Sequence, residues 1–292
     1  MKKISIKFIT ILIVLGLSIS LTACGNKDLT KDKTPQEIVI AAAEAMQNIN
    51  TYSITMAMHM DMVNPETGNM ESIVMTGNGD IIVEPLKMHM NMDIQIPQMP
   101  MSMEIYAVNE DNTIIEYLNV PGQTEKWMKI ELPLDENMQQ MMNPAQSAAF
   151  LQEAMLNAKF LGEEEKDEIE TIIIETILKP EAFGKFMQMP GSDILTADLD
   201  SLFASMDNFK YKIWVRKDNL YITKAEMDLG EIFNTMIDTM VDISEEEKEI
   251  LSKMKAQMTM EYVDFDVPVE VTVPDEVINN AEDFSNMLNS AN

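Results

Sequence analysis

From Tyr52 to Met62 the chain reads YSITMAMHMDM, with an apolar residue at every second position. Only an extended strand turns alternate side chains to opposite faces. A two-residue period of this length therefore dictates β-structure and leaves no room for a helix. Tyr52, Ile54, Met56, Met58, Met60 and Met62 form one face; Ser53, Thr55, Ala57, His59 and Asp61 form the other. The pattern returns with Leu86, Met88, Met90, Met92, Ile94 and Ile96 against Lys87, His89, Asn91, Asp93 and Gln95. After Pro97 it returns again with Met99, Met101, Met103, Ile105 and Ala107. A last long strand over 254–265 places Met254, Met258 and Met260 on one side.

Between these strands the chain alternates in class. Thr34-Pro35-Gln36-Glu37 is a capping box with proline at the first helical position, ahead of the helical run IVIAAAEAM. Strands are expected over 71–83, where Gly77 and Gly79 predict a bend or bulge, and over 113–120 and 126–132. Asn143 and Pro144 open a helix expected to run to about Leu161, with Phe150, Leu151, Met155 and Ala158 as its apolar stripe. A strand follows at 168–178, then short helices at 180–189 and 197–206, and a hairpin of 209–216 and 220–227. Helices at 230–241 and 244–253 precede the last strand, and a weak C-terminal helix follows it. The expected fold class is α+β: one antiparallel sheet of about ten long strands, packed against several helices. A sheet that large curls, with its apolar face inward and its outer face wet.

The N-terminus supplies an address. Lys2, Lys3 and Lys7 precede an apolar run over 8–21, short for a membrane-spanning helix of about 20 residues and suited to a secretory signal. The run ends in Leu21-Thr22-Ala23-Cys24, and Cys24 is the single cysteine of the 292 residues. LTAC resembles the lipobox of bacterial lipoproteins, which implies acylation of Cys24 as the mature N-terminus. Two acyl chains make a stable membrane anchor where one does not. The expected organisation is a signal over 1–23, a flexible tether over 24–33 (GNKDLTKDK after the cysteine) and a single domain over 34–292. The expected location is the extracytoplasmic face of the cell membrane.

Charge and motifs narrow the function. The net charge is −28, and loss of the three signal lysines makes it more negative still. Such a body repels nucleic acid and anionic headgroups, so membrane contact falls to the anchor. No G-x-S-x-G, P-loop, H-E-x-x-H or EF-hand spacing occurs, and neither an enzyme, a cofactor nor a metal is expected. The expected state is a monomer.

The capped helix, the long alternating strands and the inserted helices, together with the lipobox, resemble the lipoprotein-carrier fold of LolA, LolB, LppX and LprG. That resemblance implies an incomplete antiparallel barrel wrapped around helices, with an apolar cavity for acyl chains. YSITMAMHMDM, PLKMHMNMDI and MEIYAVNED are also similar to an uncharacterised family of methionine-rich lipoproteins from Gram-positive bacteria. The similarity covers most of residues 35–270 and carries no binding residues with it.

Methionine has three rotatable bonds and a polarizable thioether, so it fills space that changes. A hydrophobic ligand is accordingly expected against Met56, Met58, Met60, Met62, Met88, Met90, Met92, Met101, Met103, Met258 and Met260. Plain core filling is the alternative, and an envelope interaction or sensor lipoprotein without a small ligand is another. Met58-His59-Met60 and Met88-His89-Met90 also carry the donor types of a Cu(I) site. On a strand, however, each histidine points away from the methionines beside it.

Overall fold

The computed structural model describes residues 28–63, 68–97, 99–111, 113–122, 126–133, 152, 154–179, 209–230, 248 and 252–284. Helix α1 (Pro35–Met46) is followed by six strands: β1 (Thr51–Val63), β2 (Met70–Ile82), β3 (Lys87–Gln95), β4 (Met101–Glu110), β5 (Thr113–Asn119) and β6 (Met128–Pro133). Five more follow: β7 (Met155–Lys166), β8 (Ile169–Leu178), β9 (Phe209–Arg216), β10 (Ile222–Asp228) and β11 (Lys255–Val263). A short helix α2 (Asp275–Asn280) and a two-residue strand β12 (Glu282–Asp283) close the described chain.

All twelve strands belong to one open sheet, ordered β12-β6-β5-β4-β3-β2-β1-β11-β10-β9-β8-β7. The chain starts in the middle with β1 and steps outward as a meander to β6. It resumes at the opposite edge with β7 and steps back inward until β11 pairs with β1. Every pairing is antiparallel except the last, in which β12 runs parallel to β6.

The count therefore exceeds the ten strands expected, for two physical reasons. β7 begins within the helix expected over 144–161 and runs past its end, and two register shifts, at Met155/Asn157 and Phe160/Gly162, break its two-residue period. Bulges that add a residue make a strand imitate helical spacing in sequence. The β7–β8 turn, Asp167 and Glu168, has positive φ at both residues (53° and 64°), the backbone that a tight hairpin needs. β12 is two residues long and exists because the C-terminal segment returns to β6, which local sequence cannot encode. The helices expected over 180–189, 197–206, 230–241 and 244–253 lie wholly or largely outside the described residues, as do Phe150 and Leu151.

α1 begins as its capping box dictates. Thr34 Oγ1 accepts from the Glu37 N–H at 3.3 Å, and the Thr34 N–H donates to the Glu37 carboxylate at 2.7 Å. Its apolar side, Ile38, Val39 and Ala42, packs on the inner face of the sheet against Ala158, Ile172, Ile174, Ile213, Val215 and Ala225. Just before the helix the chain is already docked: the Leu29 N–H donates to the Lys217 carbonyl at 2.7 Å, and Thr30 is buried.

The outer face is not wet throughout. Tyr106, Val108 and Tyr117 point outward from β4 and β5 and are buried with Ile115 and Trp127 beneath Val273, Val277 and Ala281. The segment after β11 thus crosses the outer face and makes a second core. Ile105–Val108 (IYAV) is apolar on both faces because both faces are covered there.

Truncating Ile174, which is fully buried, to Ala is expected to cost about 2–5 kcal/mol. Thr34→Ala, which removes the cap, is expected to cost about 1 kcal/mol. Urea denaturation of the two variants measures both, and the ranking fails if the cap loss proves the greater.

Candidate functional site

Register fixes which methionines meet. β1 pairs with β11 through Met56↔Met260 and Met58↔Met258, and with β2 through Met56↔Gly77 and Met58↔Met75. β3 continues the rows with Gly77↔Met92, Gly79↔Met90 and Met75↔Ile94. β4 adds Met92↔Met103, Met90↔Ile105 and Ile94↔Met101. Directly paired antiparallel residues share a face. One row across the inner face therefore runs Met260, Met56, Gly77, Met92, Met103, and the next runs Met258, Met58, Met75, Ile94, Met101. A third begins Tyr262, Ile54, Gly79, Met90, Ile105 and reaches Leu118 on β5 and Met128 on β6. Met60 lies beside Ala256 and Ile73, Met62 beside Glu71, and Met88 between Ile81 and Ala107.

All eleven sequence-predicted methionines thus sit on the inner face, next to the half that α1 covers. Met90 is buried, as are its neighbours Ile54, Ile81, Ile94 and Ala107. The other ten are half-buried. Sequence reasoning missed Met75 on the same face, because its strand did not alternate cleanly; Met227, beside Met258, was missed with it. Cys24 lies outside the described residues.

The bend or bulge expected at Gly77 and Gly79 is absent: β1 and β2 pair without interruption from Thr51↔Ile82 to Val63↔Met70. The glycines serve close approach instead. A Cβ on Gly77 would lie 3.0 Å from Met56 Cγ and 3.3 Å from Met92 Cγ, so flexible methionine stems lean over the gap. A Cβ on Gly79 would collide with the His89 carbonyl oxygen and lie 3.0 Å from Met90 Cα, both backbone atoms.

His59 and His89 occupy the outer face. His59 Nε2 lies 3.0 Å from Asp61 Oδ1, and His89 Nε2 lies 3.0 Å from Glu104 Oε1. The His89 ring also stacks on Tyr106 at 4.3 Å, and the Tyr106 hydroxyl donates to Glu104 at 3.1 Å. Burial and the Glu104 carboxylate push the Tyr106 hydroxyl up to about 12. Each histidine is thus committed to a carboxylate across the sheet from the thioethers, so the two Met-His-Met stretches converge on nothing. Among the described residues no group of three His, Cys, Asp or Glu could hold a metal ion.

Polar groups on the inner face are sparse. Tyr52 and Tyr262 meet edge to face at 5.9 Å, burial raises both hydroxyls, and the Tyr262 O–H lies 3.6 Å from Met260 Sδ. Glu116, which sequence reasoning passed over, lies between Ala107 and Ile130, and burial raises its carboxyl above the usual range. The signal was present: Ile114, Glu116 and Leu118 alternate. A cavity of about 550 Å³ opens elsewhere, at the outer rim between Asn119, Lys126, Trp127 and the end of α2. Its lining is polar and is crossed by the Lys126–Glu282 ion pair. Among the described residues no helix is long and apolar enough to cross a membrane.

Gly79→Ala is expected to cost at least the upper end of the 1–3 kcal/mol range typical of about one overpacked group, because backbone must move. Gly77→Ala is expected to cost clearly less, because Met56 and Met92 can change rotamer. Thermal unfolding of the pair tests this; equal losses would mean that the methionine stems are as rigid as backbone.

The chain is similar to several solved structures. LprF from Mycobacterium bovis is 10% identical, with 82% of this chain and 96% of LprF covered, at a TM-score of 0.44. The Mycobacterium tuberculosis lipoprotein LppX is 13% identical, with 83% and 100% covered, also at 0.44. A LolA superfamily protein from Nitrosomonas europaea is 12% identical, with 84% and 97% covered, at 0.22. Among curated proteins nothing matches the chain. Residues 34–282 match the model of a family of unknown function, DUF6612, and the chain belongs to that family.

Proposed function

We propose that this protein is a membrane-anchored, extracytoplasmic lipoprotein that binds a hydrophobic or amphiphilic ligand on its methionine face, as a monomer and without enzymatic chemistry. The observation that carries this reading is how the inner face divides. Under α1 it is built from Ile172, Ile174, Ile213 and Val215, all between 0% and 3% exposed. Beyond α1 it turns to methionine, and ten of the eleven predicted methionines remain half-buried. β-Branched side chains have restricted χ1 and make a stiff core, whereas methionine surfaces adapt to varied partners. A protein that needed only a core would have little reason to change side-chain class halfway across one face.

The anchor rests on Lys2, Lys3, Lys7, the apolar run and LTAC. With Leu29 docked on Lys217, four residues lie between Cys24 and the folded body, five Cα steps with a reach of roughly 18 Å at most. An acylated Cys24 would therefore hold the β9–β10 turn close to the bilayer. Cys24→Ala is expected to move the protein from the membrane fraction to the soluble fraction. A variant that stays membrane-bound after signal cleavage would refute the anchor.

The ligand reading is tested on the soluble body with an uncharged hydrophobic dye. Met58→Asp places a charge on the face, where desolvation opposes it, and is expected to weaken dye binding at least about tenfold, a loss of about 1.4 kcal/mol. His59→Ala and His89→Ala, on the opposite face, are expected to leave binding unchanged. Met90→Leu keeps nearly the same volume and is expected to cost under about 1.5 kcal/mol of stability while retaining dye. A folded wild type that binds no dye would reduce the methionines to plain core. Loss of Cu(I) binding in the Leu and His variants together would favour a metal site instead.

A further inference from the structure

Glu116 is a carboxyl where the fold has otherwise placed apolar side chains. Its row across the inner face runs Tyr52, Ile81, Met88, Ala107, Glu116, Ile130, and the adjoining row runs Tyr262, Ile54, Gly79, Met90, Ile105, Leu118, Met128. Among the described residues of these two rows Glu116 is the one carboxyl. Its neighbour Ala107 is 2% exposed, and Ile114, two positions before it on the same face, is 8% exposed. No described residue donates to the Glu116 carboxyl or forms an ion pair with it. Same-face neighbours on β4 and β6 are Ile105, Ala107, Asn109, Met128, Ile130 and Leu132, none of them charged. The nearby cation Lys129 pairs with Glu131 and sits in register with Tyr117, on the outer face.

A half-buried carboxyl without a partner is costly to keep, since burial disfavours its charge and leaves its oxygens unmatched. Its ordinary place is the surface. In ligand sites, by contrast, a mostly apolar wall with one or two placed polar groups is the usual construction, and the polar group fixes orientation. The distances suit that role. Tyr52 is the β1 residue in the row of Glu116, four strand spacings or about 19 Å away, and Met56 lies four residues (about 13 Å) further along β1, so Glu116 and Met56 are roughly 23 Å apart along the sheet, comparable to an extended long acyl chain.

We infer that Glu116 is the head-group determinant of the methionine face, selecting amphiphiles whose polar end donates hydrogen bonds and carries no negative charge. This rests on the ligand reading above. An amine or hydroxyl head would sit at the Glu116 carboxyl with its chain laid over Met88 and Met90 toward Met56. A carboxylate or phosphate head would face a like charge, or would force the carboxyl to stay protonated without a donor in return.

The test uses dodecylamine, monolauroylglycerol and laurate, with the same chain length below micelle concentrations, against the soluble body and Glu116→Gln. The wild type is expected to bind the amine and the glycerol ester at least about tenfold more tightly than laurate, as hydrogen bonds to a charged or buried acceptor warrant. Glu116→Gln retains a hydrogen-bonding amide of the same shape. It is expected to lose the amine preference, keep the glycerol ester and gain laurate, while its binding of the uncharged dye stays at the wild-type level. Glu116→Leu, which fills the site with an apolar group, is expected to bind dye and to lose all discrimination among the three heads. If wild type and Glu116→Gln rank the three alike while the dye binds, Glu116 does not read the head and this inference is overturned with the ligand reading intact. If dye and all three amphiphiles fail to bind the folded wild type, both are overturned.

Discussion

Everything in this fold depends on the pairing of β1 with its two neighbours. β1 is where the outward meander of β2 to β6 and the returning meander of β7 to β11 are joined, so it alone ties the halves into one sheet. Its register with β2 runs unbroken along the whole of both strands, and its register with β11 runs from Ser53↔Val263 to Asp61↔Lys255. Because side chains alternate with period two, a slip of one residue would send every methionine of β1 to the outer face and bring His59 and Asp61 inward. The sequence guards against this. Methionine matches methionine or a small residue at Met56 and Met58, while Ser53 donates to Asp80 and Ser72 to Asp61 on the far side. Gly79 adds a lock, since only a residue without a Cβ fits beside the His89 carbonyl in that register.

The parts of this architecture that were legible in the sequence are those set by local chemistry. The capping box at Thr34 and Glu37 and the period-two runs of β1, β3 and β4 depend on near neighbours, and they appear in the fold as expected. What escaped was decided at long range. β7 carries two bulges, so its period is neither two nor 3.6, and the apolar residues at Met155 and Ala158 happen to sit at helical spacing. β12 is a strand because of where the chain returns rather than what its two residues are. The outer core escaped for a related reason: Tyr106, Val108, Ile115 and Tyr117 alternate with inner-face residues that are apolar except for Glu116, and nothing local says that Val273 and Val277 will cover them. At the candidate site the positions of the methionines were readable. Glu116 was passed over although Ile114, Glu116 and Leu118 alternate, because one acidic residue among 49 Asp and Glu stands out only once register places it.

The electrostatic layout follows the same division of faces. Ion pairs of the described residues lie on the outer side and at the strand ends: Lys224 with Glu226, Arg216 with Asp218, and Lys217 with Glu163 and Glu170. Pairs of this kind contribute little individually in water, and they leave the surplus of carboxylates solvated. The methionine part of the inner face carries few carboxyls among the described residues, Glu71 beside Met62 and Glu116 between Ala107 and Ile130, so it stays apolar while the surplus charge is hydrated.

The partition of that face between two side-chain classes then has a physical meaning. Ile174, Ile213 and Val215, held under α1 at no more than 1% exposure, have few rotamers and lose little more freedom when packed. They make the stiff half. The methionines of β1, β3, β4 and β11 keep several rotamers each, and the leaning of Met56 and Met92 over Gly77 shows that their stems already fill space that backbone leaves open. Ordering such side chains costs more conformational entropy than ordering isoleucine. On the proposed ligand reading, that cost arises only when an occupant packs against them, which is why methionine suits such a face better than a permanent core. One sheet, pinned at β1, thus supplies a rigid wall under α1 and an adaptable wall beside it.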